Sequence, residues 1–173
     1  MRRVRETYAI TMNKDSVYTL NGGAKGDEED RLVRQHRDVF IRVTKTLMPN
    51  HIKAHLTSLR RPVAIADVAT GTGIWLTELA RELPADTRLD GYDFDTSKFP
   101  YSEGLPSNVK LTFANGLEPF ARELQGQYDL VHVRLVMFGL KADQWELMAA
   151  NLRTLLQPRS EERRVGKECG SSV

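Results

Sequence analysis

Cysteine is almost missing from this 173-residue chain: the single one, Cys169, cannot form a disulfide within it, and a reducing, cytoplasmic compartment is the expectation. Long apolar runs are equally scarce. None approaches the roughly 18 to 20 residues of a membrane-spanning helix, and the N-terminus carries no secretory apolar core, so no membrane partner is expected. Charge of one sign is missing too. The 25 basic and 23 acidic residues leave a formal +2 spread along the chain, which is no footprint for nucleic acid. Arg2, Arg3 and Arg5 hint at a transit peptide, but Glu6 and Asp15 arrive early and serine is not abundant. No Ser-His-Asp arrangement or cysteine pair supports a hydrolase or a redox thiol. His51 and His55 sit one helical turn apart, yet no glutamate follows His51 and no third ligand is evident, so surface histidines and no metal are expected.

What is present suits one α/β domain. Two-fifths of the residues are hydrophobic, enough for one substantial core. Residues 1–26 read as an irregular leader with the turn Asn21-Gly22-Gly23, and 27–158 as the domain. Apolar residues at Leu32, Val33, Phe40, Val43 and Leu47 predict an amphipathic helix over 27–47, and Ile52, Leu56 and Leu59 a short second one after Pro49. Residues 63–68 form a short apolar run bounded by turn residues, as in a strand buried on both faces of a parallel sheet. Further strands are expected at 88–92, 109–113 and within the strongly apolar 128–138, and helices at 74–83 and 143–156. Alternation of this kind predicts a Rossmann-like doubly wound parallel sheet, incomplete at about four strands, preceded by N-terminal helices.

In such a sheet a ligand sits beyond the carboxyl ends of the strands where the strand order reverses. The first glycine turn, Ala69-Thr70-Gly71-Thr72-Gly73, emerges there. Its glycines permit unusual torsions and close backbone approach, and its amides and those of the next helix start suit a carboxylate or phosphate oxygen. A tight strand-to-helix turn without a ligand has the same signature. Asp93 adds weight: about twenty residues past Gly73, at the end of the second strand, a carboxylate can accept from ribose hydroxyls, with Asp95 as a competitor. NAD and FAD also carry ribose. Leu76, however, stands where the dinucleotide fingerprint has its third glycine, which favours a cofactor without pyrophosphate, such as S-adenosylmethionine.

Taken together, Tyr18, Glu29-Asp30-Arg31-Leu32, Gln35-His36, the run from Ala66 to Leu76, Leu89-Asp90-Gly91-Tyr92-Asp93, Phe99-Pro100, Asn115 to Phe120 and Tyr128 to Arg134 give a chain that resembles the class I S-adenosylmethionine-dependent methyltransferases. Within them it is similar to the fungal branch of secondary-metabolism regulators and N-methyltransferases. The resemblance implies that Asp67, Ala69, Thr70, Gly71, Thr72 and Gly73 contact the methionine part of the cofactor and Asp93 its ribose. It further implies Phe94 along the adenine, Asn115 and Gly116 near its edge, and His132 to Leu135, with Arg134 among the cofactor contacts, bordering the methyl group. Tyr18 and the first helix are implied as a lid. The partner is then a small-molecule methyl acceptor. His132 is a candidate proton acceptor, because histidine exchanges protons near neutrality; a satisfied core histidine is the plainer reading. A regulatory module that binds the cofactor without turnover is the alternative, and a nicotinamide oxidoreductase a third. Methyltransferases of this class continue past Pro158 with a glycine pair and further strands, whereas residues 159–169 here resemble the translation of a sequencing adapter. The expectation is a domain cut short, with 159–173 as a non-native tail.

Overall fold

The computed structural model describes residues 25–136 and 139–158, with side chains from residue 28 onward. Tyr18 and the rest of the leader through residue 24, Met137, Phe138, and the tail from residue 159 with Cys169 lie outside the described residues.

Among the described residues four parallel strands make one sheet: β1 (Ala64–Val68), β2 (Arg88–Asp93), β3 (Val109–Phe113) and β4 (Leu130–Val133), ordered β3-β2-β1-β4. Five α-helices accompany it there: α1 (Lys25–Arg34), α2 (Ile41–Thr44), α3 (Asn50–Ser58), α4 (Ile74–Leu79) and α5 (Gln144–Leu155). The expected α/β doubly wound sheet is therefore present. Winding runs from β1 outward to β3, then crosses to β4 on the other side of β1, so the direction reverses between β1 and β4. That reversal is where this architecture opens a crevice.

Successive strand residues point to opposite faces, and β1 feeds two cores accordingly. Ile65 joins Leu89, Val109, Trp75, Leu76, Leu79 and Leu47 on the α4 side. Ala66 and Val68 join Tyr92, Tyr128, Phe120, Met148 and Leu155 on the α5 side. Both faces of the sheet are covered, which is why β1 reads as an unbroken apolar run.

Three elements differ from their expected bounds. The helix over 27–47 begins at Lys25 and ends at Thr44, because Lys45 takes φ 61, and its middle, Gln35–Phe40, is π-helical. The wider turn accompanies an inward His36, only 1% exposed, and such turns are frequent at functional sites. The helix over 74–83 stops at Leu79, followed by tight turns (Arg81 N to Glu78 O, 3.1 Å; Glu82 N to Leu79 O, 2.9 Å) ahead of Pro84, which itself disfavours helical torsions at Leu83. The apolar stretch 128–138 yields only the four residues of β4. Leu135 adopts φ 58, which no strand accommodates, and Tyr128 makes a single bridge to Leu156.

Candidate functional site

β1 delivers the chain to the sheet's carboxyl edge, where Ala69, Gly71 and Gly73 take φ of 59, 59 and 72. The left-handed region is open to the glycines and strained for Ala69, by roughly 1 to 2 kcal/mol. Hydrogen bonds hold the loop in this form. Thr70 N donates to Tyr92 O at 3.1 Å, Gly73 N to Thr70 O at 3.0 Å, and the Thr70 hydroxyl to Asp67 Oδ2 at 2.7 Å. Gly71 N donates to Asp93 Oδ2 at 2.8 Å.

Asp93 is 5% exposed, and its Oδ1 accepts from Asp95 N at 2.9 Å. Burial pushes its carboxyl above the usual range, against the lowering effect of those two amides and of Lys98. Each carboxylate oxygen keeps one acceptor site beyond these bonds. Asp95, the competing acid, faces Ser97 and Lys98 instead. Phe94 beside Asp93 is 46% exposed. Asn115 and Gly116 sit past the end of β3 and are tied locally: Asn115 accepts from Leu117 N and donates to Glu118, both at 3.1 Å, while Gly116 O accepts from Asn151 of α5 at 3.0 Å. Their hydrogen bonds do not run to the glycine loop.

At the end of β4 two residues turn toward the same region. His132, opposite Asp67 in register, meets Asp67 Oδ1 through Nδ1 at 2.7 Å and stacks on Trp75 with ring centroids 3.9 Å apart. The indole is fixed by its own bond from Nε1 to Leu47 O, 2.9 Å. Arg134 donates to His36 Nδ1 at 2.8 Å and lies 4.4 Å from the centre of the Phe40 ring. His36 Nε2 meets Glu78 Oε2 at 2.8 Å, and Arg37 reaches the other oxygen at 3.2 Å. Because a carboxylate only accepts and a guanidinium only donates, His36 is the neutral Nε2–H tautomer. Burial lowers its pKa, the bond to Glu78 opposes this, and the Arg134 charge adds to it. Burial likewise lowers the pKa of the Arg134 guanidinium.

Two buried polar atoms have no hydrogen-bond partner among the described residues, Thr72 Oγ1 and Arg134 Nη1. Helix α1 lies against the turn Thr96–Lys98, and Leu32 Cδ1 would be 3.4 Å from a Cβ on Gly71. Leu32 of the first helix therefore packs beside Gly71. Sequence reasoning assigned no role to Trp75, Glu78 or His36. His36 and Glu78 are 42 residues apart, His36 and Arg134 98, and no local pattern announces such pairs.

No family model matches the chain. It is 37% identical over 152 residues to methyltransferase grgD of a Penicillium species, covering 84% of this chain and 50% of that protein. N-methyltransferase tcpN of Claviceps purpurea is 30% identical over 133 residues, 76% of this chain and 46% of tcpN. The chain belongs to the class I methyltransferase family. The fold agrees: the CurJ carbon methyltransferase structure superposes on 78% of the chain and 37% of its own with a TM-score of 0.65 at 17% identity. This family member spans about half the length of the curated relatives it matches. Among the described residues no helix is long and apolar enough to cross a membrane.

Proposed function

We propose that the glycine loop, Asp93 and the end of β4 hold S-adenosylmethionine, and that the whole protein transfers its methyl group to a small-molecule acceptor of the secondary-metabolite kind. The observation that carries this reading is the clamp of Asp93 on the Gly71 amide, together with two buried polar atoms that have no hydrogen-bond partner among the described residues. Thr72 Oγ1 and Arg134 Nη1 are donors suited to the methionine carboxylate. Asp93, with acceptor sites left on both oxygens, suits two ribose hydroxyls, and the exposed face of Phe94 suits a purine. The residues present therefore fit the group. When bound, it supplies a methyl already activated on a sulfonium, so the protein's part is to align, to exclude water and to manage a proton.

Asp67 has a further part in this scheme beside its expected contact with the methionine part. Its two oxygens serve Thr70 and His132, so it shapes the loop and orients an imidazole. The likeness to a named N-methyltransferase favours nitrogen as the acceptor atom.

Calorimetric titration with S-adenosylhomocysteine, beside an Asp93→Ala variant checked by circular dichroism, tests the reading. A hydrogen bond to a charged group contributes about 1.5 to 3 kcal/mol, so the variant is expected to bind roughly 10- to 100-fold more weakly. Equal affinity in the two folded proteins would remove Asp93 from the site. Transfer from labelled S-adenosylmethionine to a nitrogen acceptor separates an enzyme from a module that binds without turnover.

A further inference from the structure

We propose that Asp67 and His132 form an acid–imidazole pair that presents His132 Nε2 as the proton acceptor for the methylated nucleophile. The acceptors are thereby restricted to groups that give up an N–H or O–H proton. This inference rests on the transferase reading above and assigns the proton that reading leaves unplaced.

The tautomer follows from the partners. Asp67 is 2% exposed, its Oδ2 accepts from the Thr70 hydroxyl, and its Oδ1 lies 2.7 Å from His132 Nδ1. An ionised carboxylate only accepts, so the proton sits on Nδ1 and the Nε2 lone pair is free. No described group bonds to that nitrogen, and the His132 side chain is 20% exposed. His36 is the contrast within the same molecule. Its two nitrogens are both engaged, Nε2 with Glu78 and Nδ1 with Arg134, and its side chain is closed off from solvent. An imidazole that serves packing alone looks like His36. His132 instead has one nitrogen held and one offered.

Position and charge fit the role. His132 is the penultimate residue of β4, beside β1 and thus at the reversal of the sheet. Its ring is held flat on the Trp75 indole, with 11° between the planes. An imidazolium formed there faces a buried carboxylate on one side and an aromatic face on the other, and both stabilise a cation. In the balanced step the nucleophile's lone pair forms the new bond to the methyl carbon. The carbon–sulfur pair stays on sulfur, and the nucleophile's proton passes to Nε2. The sulfonium charge is thus replaced by an imidazolium paired with Asp67.

The chain has four histidines, which makes the test internally controlled. In the ¹⁵N-histidine-labelled chain at pH 8, His132 is expected as the Nδ1–H tautomer and His36 as the opposite one, with assignments from His132→Gln and His36→Gln. Diethyl pyrocarbonate followed by mass spectrometry is expected to modify His132 along with exposed His51 and His55, while His36 stays unmodified. Asp67→Asn is expected to abolish the tautomer preference of His132 and slow its modification several-fold. An Nε2–H tautomer in the unaltered chain, or a His132 that stays unmodified after His51 and His55 have reacted, overturns the proposal without recourse to any variant. S-adenosylhomocysteine titration of the same sample reports separately on the cofactor reading: binding with the wrong tautomer sinks only the proton acceptor, and the right tautomer without binding sinks the transferase on which it rests.

Discussion

Replacing Gly91 by alanine reaches the glycine loop from inside the sheet, without changing any residue of the loop itself. A Cβ there would lie 2.5 Å from Leu111 Cδ2 and 2.9 Å from Thr70 Oγ1, against roughly 3.5 to 4.0 Å for relaxed carbon contacts. The end of Leu111 can swing aside. The Thr70 hydroxyl cannot, because its 2.7 Å bond to Asp67 fixes it. Overpacking of this kind costs about 1 to 3 kcal/mol, and a loosened Thr70–Asp67 bond adds to that. Alanine recovers about 0.4 to 1 kcal/mol by restricting the unfolded chain. A net loss of about 1 to 3 kcal/mol is expected, read as a lower urea midpoint and a melting temperature reduced by roughly 2 to 10 °C. Affinity for S-adenosylhomocysteine should fall as well, since the displaced Thr70 precedes the Gly71 amide that Asp93 clamps. A loss below about 0.5 kcal/mol, the range of neutral substitutions, with unchanged affinity would refute the packing argument.

Gly104→Ala is the matched control: a Cβ there meets nothing within 4 Å, so its urea midpoint should be unchanged or slightly raised, by up to about 1 kcal/mol. The lowered pKa of buried His36 carries a defined sign. Its contribution is fully present above the unfolded value of about 6.5 and is lost as pH falls through the lower folded value, so urea midpoints should drop between pH 7 and 5, and drop less in His36→Gln; equal slopes would count against a neutral His36. Tyr128→Phe removes a hydroxyl that donates to Asp90 at 2.7 Å and bonds Arg88 at 2.9 Å and Tyr92 at 2.6 Å. Leaving Tyr92 and Asp90 short of a partner should destabilise by about 1 to 3 kcal/mol, and an unaltered midpoint in urea would show the network to be replaceable.

The sheet was legible in sequence because its evidence is local. A five-residue apolar run followed by glycines is a buried strand and a turn whatever lies elsewhere, and β1 to β3 fall within a residue or two of their expected positions. The end of β4 was not legible, since 128–138 is apolar throughout. What ends the strand is a left-handed Leu135, next to an Arg134 bonded to a histidine 98 residues away. The π-helical turn at Gln35–Phe40 was hidden for the same reason: the periodicity of 27–47 is that of an ordinary helix, and the turn accompanies His36 packing between Glu78 and Arg134. Asp93 was chosen over Asp95 by position alone, and the bond to Gly71 now gives a physical ground for that choice.

The glycines carry more than the motif suggests, and this decides which substitutions can test the site. Gly71 and Gly73 have left-handed torsions, which a ligand-binding turn and a bare structural turn both require. Yet a Cβ on Gly71 would also come within 3.4 Å of Leu32 of α1, and one on Gly73 would sit 2.9 Å from Leu111 Cδ1. Substituting either would disturb torsion, and at Gly73 packing too, together with any ligand contact, so lost binding would not say which mattered. Asp93→Ala is cleaner, because it removes a side chain whose hydrogen bonds shown among the described residues run to the Gly71 and Asp95 amides. The strain at Ala69 and Leu135 points the same way. Of the three non-glycine left-handed residues among those described, these two flank the reversal between β1 and β4, Lys45 being the helix-ending third, and such torsions persist only where the surroundings over-determine them. Around Ala69 the surroundings are the Asp67–Thr70 and Gly71–Asp93 bonds. Around Leu135 they are Arg134 on His36 and, three residues before Leu135 and within β4, His132 on Asp67. Asp67 bonds both to Thr70 of the glycine loop and to His132 of β4, so a single buried carboxylate ties the ends of the two strands together.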